Sequence, residues 1–515
     1  MPDKQSALVI GSGLGGIATA ARLARLGYRV TVLEKNASPG GRCGQFVRDG
    51  HRFDIGATLF LMPQVFAETY SALGESMEDH LDLRRIDPSY CIHFADGLEL
   101  SLTGNLADIR AQLEAIQPGS FLGFLRFLQE SHRHYTVSLQ RFVGRNFNHL
   151  FDYFTPLNLP LMFQLKVFST HYANIGNYFS DPHLKAAFTF QNMYLGLSPF
   201  DAMATYSLLQ YTEMAEGVWF PIGGLYRVVD SLMSIARANG VEFIFNAPVE
   251  KIEVTENRAK AVILKDGTRL CSDLIIANAD LPYVYRQLLP LEPYTRKLSR
   301  KSYTSSTIMF YWGIDTLVHQ LDTHNVYLCG DYRDSFQQIF HHKTLPNQPS
   351  FYIHAPARVD PTAAPAGRDT LFVLVPVGHI DGTGTQDWDA MTSHARANVL
   401  NRLQQHGIND LGRHIDLEVV GTPLIWQERY NLEKGAAFGL SHNFTQVGYL
   451  RPHNRHRRYK NLYFVGSSTH PGTGLPMVLL SAKLTTERIL QEIGVPKPIS
   501  NKQAIYSQIK KNATL

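Results

Sequence analysis

Short apolar runs alternate with glycine-rich breaks over the first part of the chain. An apolar run at Ala7–Ile10 ends in Gly-Ser-Gly-Leu-Gly-Gly, an alanine-rich stretch follows, and a second apolar run at Val30–Leu33 closes on Glu34. Buried parallel strands have such continuous apolar runs, and small helix-forming residues suit a helix that lies flat on a sheet. The pattern therefore predicts a strand, a helix that ends at Gly27, and a second strand.

The glycines of this segment have the spacing Gly-x-Gly-x-x-Gly. Gly11 permits the tight turn after the strand, Gly13 lets the backbone approach a pyrophosphate, and Gly16 lets the helix pack close to the strand. The start of the helix presents free N–H groups to the phosphates. Glu34 lies where a carboxylate accepts hydrogen bonds from ribose hydroxyls and repels a 2′-phosphate, so the segment predicts FAD or NAD and excludes NADP.

Two more glycine turns follow the acidic residue. Gly40-Gly-Arg42 combines an open backbone with a guanidinium that suits phosphate, and an alternating strand runs into Gly56-Ala-Thr58, where the backbone can pass beside a flat ring. NAD enzymes seldom carry this pair of turns. It resembles FAD enzymes of the glutathione-reductase and amine-oxidase type, which favours FAD.

The rest of the chain divides into a helical middle and later strands. Residues 118–214 read as mostly helical, whereas runs at 308–314 and 371–377 predict the sheet of a second lobe. Near the C-terminus, an apolar strand at 461–465 leads through a glycine-dense turn into a helix whose first turn can face a flavin ring. This closing segment must fold back beside the first strand–helix–strand unit.

The stretch Phe151–Phe168 is the most apolar in the chain, but Asp152 and Lys166 interrupt it. It falls short of the roughly eighteen uncharged apolar residues that a spanning helix needs. We interpret it as an internal helix of the second lobe in preference to a surface that dips into a lipid monolayer.

Length, charge and cysteine content narrow the function classes. A chain of 515 residues exceeds a single core, and a net charge of +4 is too small to indicate nucleic acid but is compatible with an anionic lipid surface. The four cysteines form no C-x-x-C pair, which predicts buried, reduced thiols, no metal site and a cytosolic setting. They are Cys43, Cys91, Cys271 and Cys329.

Two runs rich in basic residues or histidine have a plain and a functional interpretation. His132 and His134 stand two residues apart on a predicted helix and do not share a face, so we interpret them as structural and not as metal ligands. For Arg451–Arg458 we favour a solvated loop over a contact with anionic lipid beside a substrate portal.

Further motifs extend these patterns nearly from end to end of the chain. The set comprises Gly11–Gly16, Gly40–Arg42, Phe53–Gly56, Ala187–Gly196, Tyr206–Tyr211, Gly217–Gly224, Leu450–Arg455 and Val465–Pro476. Together they resemble the bacterial and fungal phytoene desaturases, the carotenoid desaturases within the FAD amine-oxidase superfamily. Ala57 and Met477 depart from the residues that most members carry, which bears on the substrate and not on the fold.

The resemblance implies an α/β fold with α+β lobes. A Rossmann-like FAD-binding domain of the glutathione-reductase/amine-oxidase type is expected beside a discontinuous substrate-binding domain of mixed sheet and helices. The expected ranges are 1–85, 215–300 and 425–495 for FAD binding, 86–214 and 301–424 for substrate binding and the membrane-facing surface, and 496–515 for a C-terminal tail.

The resemblance also implies the site residues. The backbone of Val249 is expected to pair with adenine, and no nucleophile triad is expected. His470 is the one catalytic candidate, although a role in holding its turn is favoured. The expected cofactor-binding residues are Gly11, Gly13, Leu14, Gly15, Gly16, Glu34, Lys35, Gly41, Arg42, Gly56, Ala57, Thr58, Val249, Gly466, Ser467, Gly474, Leu475, Pro476 and Met477.

The implied activity is FAD-dependent desaturation of a membrane-dissolved polyene, with hydride going to the flavin and electrons then to oxygen or a quinone. The implied location is cytoplasmic and peripheral to the membrane, with no nucleic-acid partner. A carotenoid oxygenase, a cis-trans isomerase or a saturase shares almost every motif, and a small-amine oxidase or a non-catalytic isoprenoid escort protein of the GDI type is a more distant alternative. Substrate length, the number of new double bonds, stereochemistry and oligomeric state stay open.

Overall fold

The computed structural model describes residues 5–494, so the predicted tail at 496–515 lies outside the described residues. The strands are β1 Ser6–Ile10, β2 Arg29–Leu33, β3 Gln45–Arg48, β4 His51–Asp54, β5 Leu83–Ile86, β6 Tyr90–His93, β7 Glu99–Leu102, β8 Val218–Pro221, β9 Glu242–Ile244, β10 Val249–Thr255, β11 Arg258–Leu264, β12 Arg269–Cys271, β13 Leu274–Ala277, β14 Ser306–Ile314, β15 His324–Tyr327, β16 Phe351–His354, β17 Asp369–Val377, β18 Ile415–Gly421 and β19 Leu462–Phe464. The α-helices are α1 Leu14–Arg25, α2 Pro63–Leu73, α3 Leu106–Ile116, α4 Ser120–Ser138, α5 Leu150–Tyr153, α6 Asn158–Gln164, α7 His171–Ile175, α8 Pro182–Ala187, α9 Leu208–Tyr211, α10 Tyr226–Ala238, α11 Leu281–Tyr283, α12 Pro293–Ser299, α13 Tyr332–Phe340, α14 Trp388–Gln405, α15 Pro423–Tyr430 and α16 Leu475–Glu492.

A five-stranded parallel sheet with the order β19-β13-β1-β2-β9 forms the first lobe. Ile10 pairs with Leu33 on one side and with Ala277 on the other, so β1 lies at the centre and its carboxyl end at Gly11 faces the crevice between its neighbours. Ligands bind at this position in open parallel sheets. The closing segment joins the same lobe, since β19 pairs with β13 and α16 packs against α1.

A seven-stranded mixed sheet with the order β18-β14-β17-β16-β15-β6-β7 forms the second lobe. The runs predicted at 308–314 and 371–377 lie in its long central strands β14 and β17, which confirms the expected α/β fold with a mixed second sheet. The β6–β7 hairpin joins this sheet through parallel pairing of β6 with β15. The exact domain boundaries stay a prediction.

The interpretation of the segment 151–168 as an internal helix was wrong. Its two short helices, α5 and α6, bury Tyr153 and Met162, but Phe151 is 81% exposed and Phe163 is 68% exposed. The segment is apolar on every side, and such composition does not reveal which side faces inward. No helix among residues 5–494 is long and apolar enough to cross a bilayer.

The expectation of four buried thiols was also wrong. Cys43 and Cys329 are buried and all four cysteines are free, but Cys271 is exposed on the edge strand β12 and Cys91 is half-buried. The spacing of cysteines along the chain bears on disulfides and metal ligands, but it does not determine how exposed each thiol is.

Candidate functional site

The turn between β1 and α1 forms a cradle in which Gly13 and Gly16 have no room for a side chain. A Cβ atom on Gly13 would lie 2.8 Å from the Nδ2 atom of Asn278, and one on Gly16 would lie 2.1 Å from the carbonyl oxygen of Gly11. The helix starts after Gly13 without a side-chain cap, so its first N–H groups are available to a ligand. The cradle therefore suits an anionic group such as a pyrophosphate.

Glu34 is buried at the end of β2, and four donors hold its carboxylate. Oε2 accepts hydrogen bonds from the backbone N and Oγ of Ser12, both at 2.8 Å. Oε1 accepts from the backbone N and Nδ2 of Asn36, both at 2.9 Å. The two backbone donors fix the carboxylate, whereas the two side-chain donors can rotate away and leave lone pairs for ribose hydroxyls.

The last turn of α15 and the residues just after it close the side of the cavity next to Glu34. The Nζ atom of Lys35 donates to the carbonyl oxygen of Glu428 at 2.8 Å and to Oδ1 of Asn431 at 2.9 Å. Tyr430 and Leu432 line the same side. No local signal in the sequence indicated this contact, because nearly four hundred residues separate Lys35 from Asn431.

Arg42 connects the second glycine turn to the C-terminal half. Its Nη1 atom donates to the carbonyl oxygen of Ala437 at 2.8 Å, and its Nη2 atom donates to Oγ of Ser467 at 2.5 Å. Burial lowers the pKa of Arg42, and the nearby carboxylate of Asp280 opposes that shift. Arg42 therefore remains a fixed cation at the cavity wall.

Asn278 and Asp280 belong to the site, although the sequence analysis did not select them. Asn278 donates from Nδ2 to the carbonyl oxygen of Gly11 at 3.3 Å. Asp280 accepts from the backbone N of Glu433 at 3.0 Å and from Oγ of Ser468, and burial raises its pKa. Both follow the buried strand β13 at the edge of the sheet where ligands bind in open parallel sheets. This position at the end of a buried apolar run could have indicated them as site residues from the sequence.

The closing segment is held by Arg451, which corrects the solvated-loop interpretation of residues 451–458. Arg451 is 1% exposed, so it is neither solvated nor in contact with lipid. Its guanidinium donates to the carbonyl oxygens of Leu440, Ser441, Gln446, Ser467 and Thr469. Burial lowers its pKa to about 10, so it stays charged at neutral pH.

His470 lies in the glycine-dense turn of that segment. Its Nε2 atom donates to the carbonyl oxygen of Arg145 at 2.9 Å. The backbone carbonyl oxygen of His470 accepts a hydrogen bond from Nδ2 of Asn454. Burial lowers the pKa of His470 to about 4, so the ring is neutral and a weak base. These contacts suit a turn-holding role, and a catalytic role for His470 stays untested.

The cradle opens into one cavity of about 600 Å³. Its other part lies between the mostly helical segment 118–214 and the second sheet. Apolar side chains dominate this part of the wall, among them Phe142, Met162, Leu165, Met309, Val326 and Phe351. His470 and all but one of the expected cofactor residues line the cavity. Those cofactor residues are Gly11, Gly13, Leu14, Gly15, Glu34, Lys35, Gly41, Arg42, Gly56, Ala57, Thr58, Val249, Gly466, Ser467, Gly474, Leu475, Pro476 and Met477.

Gly16 is the expected cofactor residue that does not reach the cavity wall. It lies behind the turn, where the missing Cβ lets α1 approach the end of β1. Its contribution is therefore to packing. The whole arrangement fits a dinucleotide at the polar end and a long apolar molecule at the other.

Comparison with known proteins identifies relatives of the whole chain. The sequence profile of the flavin containing amine oxidoreductases matches residues 14–490. A phytoene desaturase of Fusarium fujikuroi is 43% identical over 95% of this chain and 90% of that protein. A 4,4'-diapophytoene desaturase (4,4'-diaponeurosporene-forming) of Staphylococcus haemolyticus is 36% identical over 94% of this chain and 98% of that protein.

Solved structures support the fold. A cyclohexylamine oxidase of Brevibacterium oxydans superimposes with a TM-score of 0.62 at 14% identity, over 96% of this chain and 100% of that chain. At this identity the likeness concerns the fold alone. It agrees with the arrangement of a parallel nucleotide-binding sheet beside a mixed second sheet.

Proposed function

The chain belongs to the flavin containing amine oxidoreductase family, together with the phytoene desaturases, and we propose that it is an FAD-dependent carotenoid desaturase. Its substrate in this proposal is a polyene dissolved in the membrane. The reaction removes a hydride and a proton from adjacent carbons and leaves a new conjugated double bond. The observation that carries the proposal is the continuous cavity that joins the glycine cradle to a long apolar wall.

The polar end supports FAD as the flavin. The glycine turn after β1 accommodates a pyrophosphate, the carboxylate of Glu34 suits an unphosphorylated ribose, and Val249 lies at the cavity wall where adenine is expected. The closing segment, from Gly466 to Met477, lines the same cavity and includes the first turn of α16. Helix N-termini stabilise negative charge, which suits the pyrimidine side of a flavin.

The apolar end has the properties that the reaction needs. Bound flavin supplies a hydride acceptor. Removal of hydride leaves positive charge that neighbouring double bonds share, so the protein aligns the substrate and excludes water instead of attacking it. The wall around Met162, Met309 and Phe351 is apolar, and His470 is too weak a base to be singled out as the proton acceptor.

The exposed apolar surface supports peripheral binding to a membrane. Met162, Leu165 and Val167 line the cavity, while Phe163 and Phe168 project outward and are 68% and 65% exposed. One thin layer therefore separates the substrate cavity from an apolar outer face. A face of this kind fits the boundary between headgroups and acyl chains, through which a polyene can enter.

The relatives favour a forty-carbon substrate over a thirty-carbon one. Identity is higher to the phytoene desaturase than to the 4,4'-diapophytoene desaturase, at 43% against 36%. Reoxidation by oxygen or by a membrane quinone completes the proposed cycle.

The decisive experiment is expression in cells that accumulate phytoene and, separately, in cells that accumulate 4,4'-diapophytoene. We expect pigments that absorb at longer wavelength, with the larger yield from phytoene. A Gly13→Val variant is the matched control, because its side chain blocks the cradle and its cells should stay colourless. No pigment from either precursor, despite flavin-loaded protein, would refute the desaturase assignment.

Product analysis separates the alternatives within the superfamily. An oxygenase incorporates labelled oxygen into its product, and an isomerase changes geometry without changing hydrogen content. We expect products that lose two hydrogens per step and contain no labelled oxygen.

A further inference from the structure

The outer face of the second sheet carries a cluster of metal-ligating side chains that the desaturase reaction does not use. His93 at the end of β6 and Glu99 at the start of β7 are direct partners across the hairpin. His406 follows α14, where its backbone N–H bonds to the carbonyl oxygens at the end of that helix. One ligand atom from each residue lies within 4.8 Å of the others.

We propose that His93, Glu99 and His406 form a binding site for a divalent transition metal, with zinc as the best fit. Two imidazoles and one carboxylate are the ligand set that zinc prefers over magnesium or calcium. Three protein ligands leave the fourth tetrahedral position to water.

The geometry requires little adjustment. Nδ1 of His93 lies 2.8 Å from Oε1 of Glu99, and Nδ1 of His406 lies 4.0 Å from the same oxygen. Ligands of a tetrahedral zinc ion are about 3.4 Å apart, given zinc–ligand distances of about 2.1 Å. Glu99 is the most exposed of the three, with a side chain 64% exposed, so its carboxylate can move while the two rings stay in place.

The hydrogen bond at 2.8 Å engages only two of the three side chains, because His406 approaches Glu99 no closer than 4.0 Å. Because a carboxylate only accepts, Nδ1 of His93 carries the proton toward Glu99, and Nε2 of the same ring is buried with no hydrogen-bond partner among residues 5–494. The ring of His406 makes no hydrogen bond to any residue in the range 5–494. A cation between the three side chains would bind Nδ1 of His93, whose proton then moves to Nε2 of the same neutral ring, and would also engage the His406 ring.

One cation, the guanidinium of Arg402, lies close to the ring of His406. Arg402 is the opposing positive charge, but its guanidinium donates to the carbonyl oxygen of Leu328 at 2.6 Å. The ring of Tyr327 packs beside the site, stacked on His93 at 4.5 Å and edge-on to His406 at 5.3 Å.

A metal ion here would stiffen one wall of the substrate cavity. Tyr327 pairs with His93 across parallel strands, and its neighbours Val326 and Leu328 line the cavity. The ion would therefore tie the hairpin, β15 and the end of α14 into one unit.

The test is a calorimetric titration of zinc chloride into flavin-loaded protein that has been treated with a chelator. We expect one saturable site that Glu99→Gln and His406→Ala each weaken at least tenfold, with a matching loss of the zinc-induced rise in Tm. His414→Ala is the matched control, because His414 and Asp315 form a pair at 2.8 Å with no third ligand among the described residues. That variant should bind zinc like the wild type.

Two results would overturn the site. One is the absence of saturable binding by the wild type, and the other is unchanged binding by Glu99→Gln and His406→Ala. If His406→Ala fails to fold, Glu99→Gln carries the test, since the Glu99 side chain is largely exposed. No polyene enters these measurements, so their outcome is independent of the desaturase assignment.

Discussion

At the nucleotide end of the cavity the backbone sets the shape, whereas at the apolar end side chains from distant segments set it. The cradle at Gly11–Gly16 is one short turn whose fit depends on missing Cβ atoms. The apolar wall takes Phe142 and Met162 from the helical region and Met309 and Phe351 from the second sheet. The first arrangement is local in sequence and the second exists only after folding.

Two buried glutamates show the same contrast. Glu34 at the nucleotide end receives four hydrogen bonds, two of them from backbone N–H groups. Glu213 follows the cavity residue Thr212 and receives two, from Tyr90 OH and from Nε2 of Gln191, each at 3.2 Å. Burial raises the pKa of Glu213 to about 8. The nucleotide end therefore surrounds its carboxyl group with donors, whereas burial favours the neutral form of Glu213.

The largest effect is expected from removing the cation that holds the closing segment. Arg451→Ala leaves the buried carbonyl oxygens of Gln446, Ser467 and Thr469 without this donor, while that of Ser441 keeps Nε2 of Gln446. Charge-assisted hydrogen bonds contribute about 1.5–3 kcal/mol each, so we expect the free energy of unfolding to fall by at least about 3 kcal/mol. Denaturant unfolding measures the change.

Arg457→Ala is the control from the same basic run, because Arg457 is exposed. It should change the free energy of unfolding by less than about 0.5 kcal/mol. Equal effects of the two substitutions would contradict the structural role of Arg451.

The next effect tests the cradle itself. Gly16→Ala places a Cβ atom 2.1 Å from the carbonyl oxygen of Gly11, so α1 must shift away from β1. Overpacking of this kind costs about 1–3 kcal/mol, and we expect a matching loss of bound flavin. The ratio of flavin absorbance to protein absorbance and the Tm report the change.

Gly330→Ala is the matched substitution, since its nearest atom would be the Cβ of Ala95 at 3.6 Å. Full flavin content in Gly16→Ala would show that flavin binding does not need the close packing of α1 against β1.

The strand–turn–helix at the nucleotide end could be predicted from the sequence because its determinants are contiguous. The spacing of Gly11, Gly13 and Glu34 specifies a local backbone geometry, and the long apolar runs of β14 and β17 specify buried strands. Gly16 was also grouped with the cofactor residues, but of its two expected roles the structure shows the packing of α1 against the end of β1.

The apolar end and the supports of the site could not be predicted in the same way. Composition did not show that Phe163 faces outward, and charge did not show that Arg451 is buried. Both depend on contacts with residues far away in the chain. Asn278 was within reach, because it directly follows a buried parallel strand, whereas the contact of Lys35 with Asn431 had no local signal.

A smaller effect is expected at the exposed apolar surface. Phe163→Ser removes a largely exposed ring that we propose to insert into lipid. Burial of a phenylalanine contributes about 1.5–3 kcal/mol, so binding to vesicles should weaken about tenfold or more while stability in solution stays nearly unchanged. Cosedimentation with phosphatidylcholine and phosphatidylglycerol vesicles measures the binding.

Leu291→Ser is the control at a different exposed apolar residue, which is 82% exposed and lies between β13 and β14 outside the helical segment. It should leave vesicle binding intact. If both variants bind vesicles like the wild type, the outer face of α5 and α6 is not the docking surface.

The effect that is smallest over a single pH unit concerns the neutral acid at the apolar end. Burial raises the pKa of Glu213 from its ordinary 4.5 to about 8. Between these two pH values, Glu213 is therefore protonated in the folded protein and ionised in the unfolded chain. Its contribution to stability is therefore complete at low pH and declines as pH rises toward 8, with a slope of about 1.4 kcal/mol per pH unit. Glu213→Gln stays neutral, so its free energy of unfolding should decline less steeply between about pH 5 and 8 than that of the wild type. Glu250→Gln is the control at an exposed position on β10 and should keep the wild-type slope. If the slopes of Glu213→Gln and the wild type are parallel, the pKa of Glu213 is not raised and the contrast between the two ends of the cavity fails.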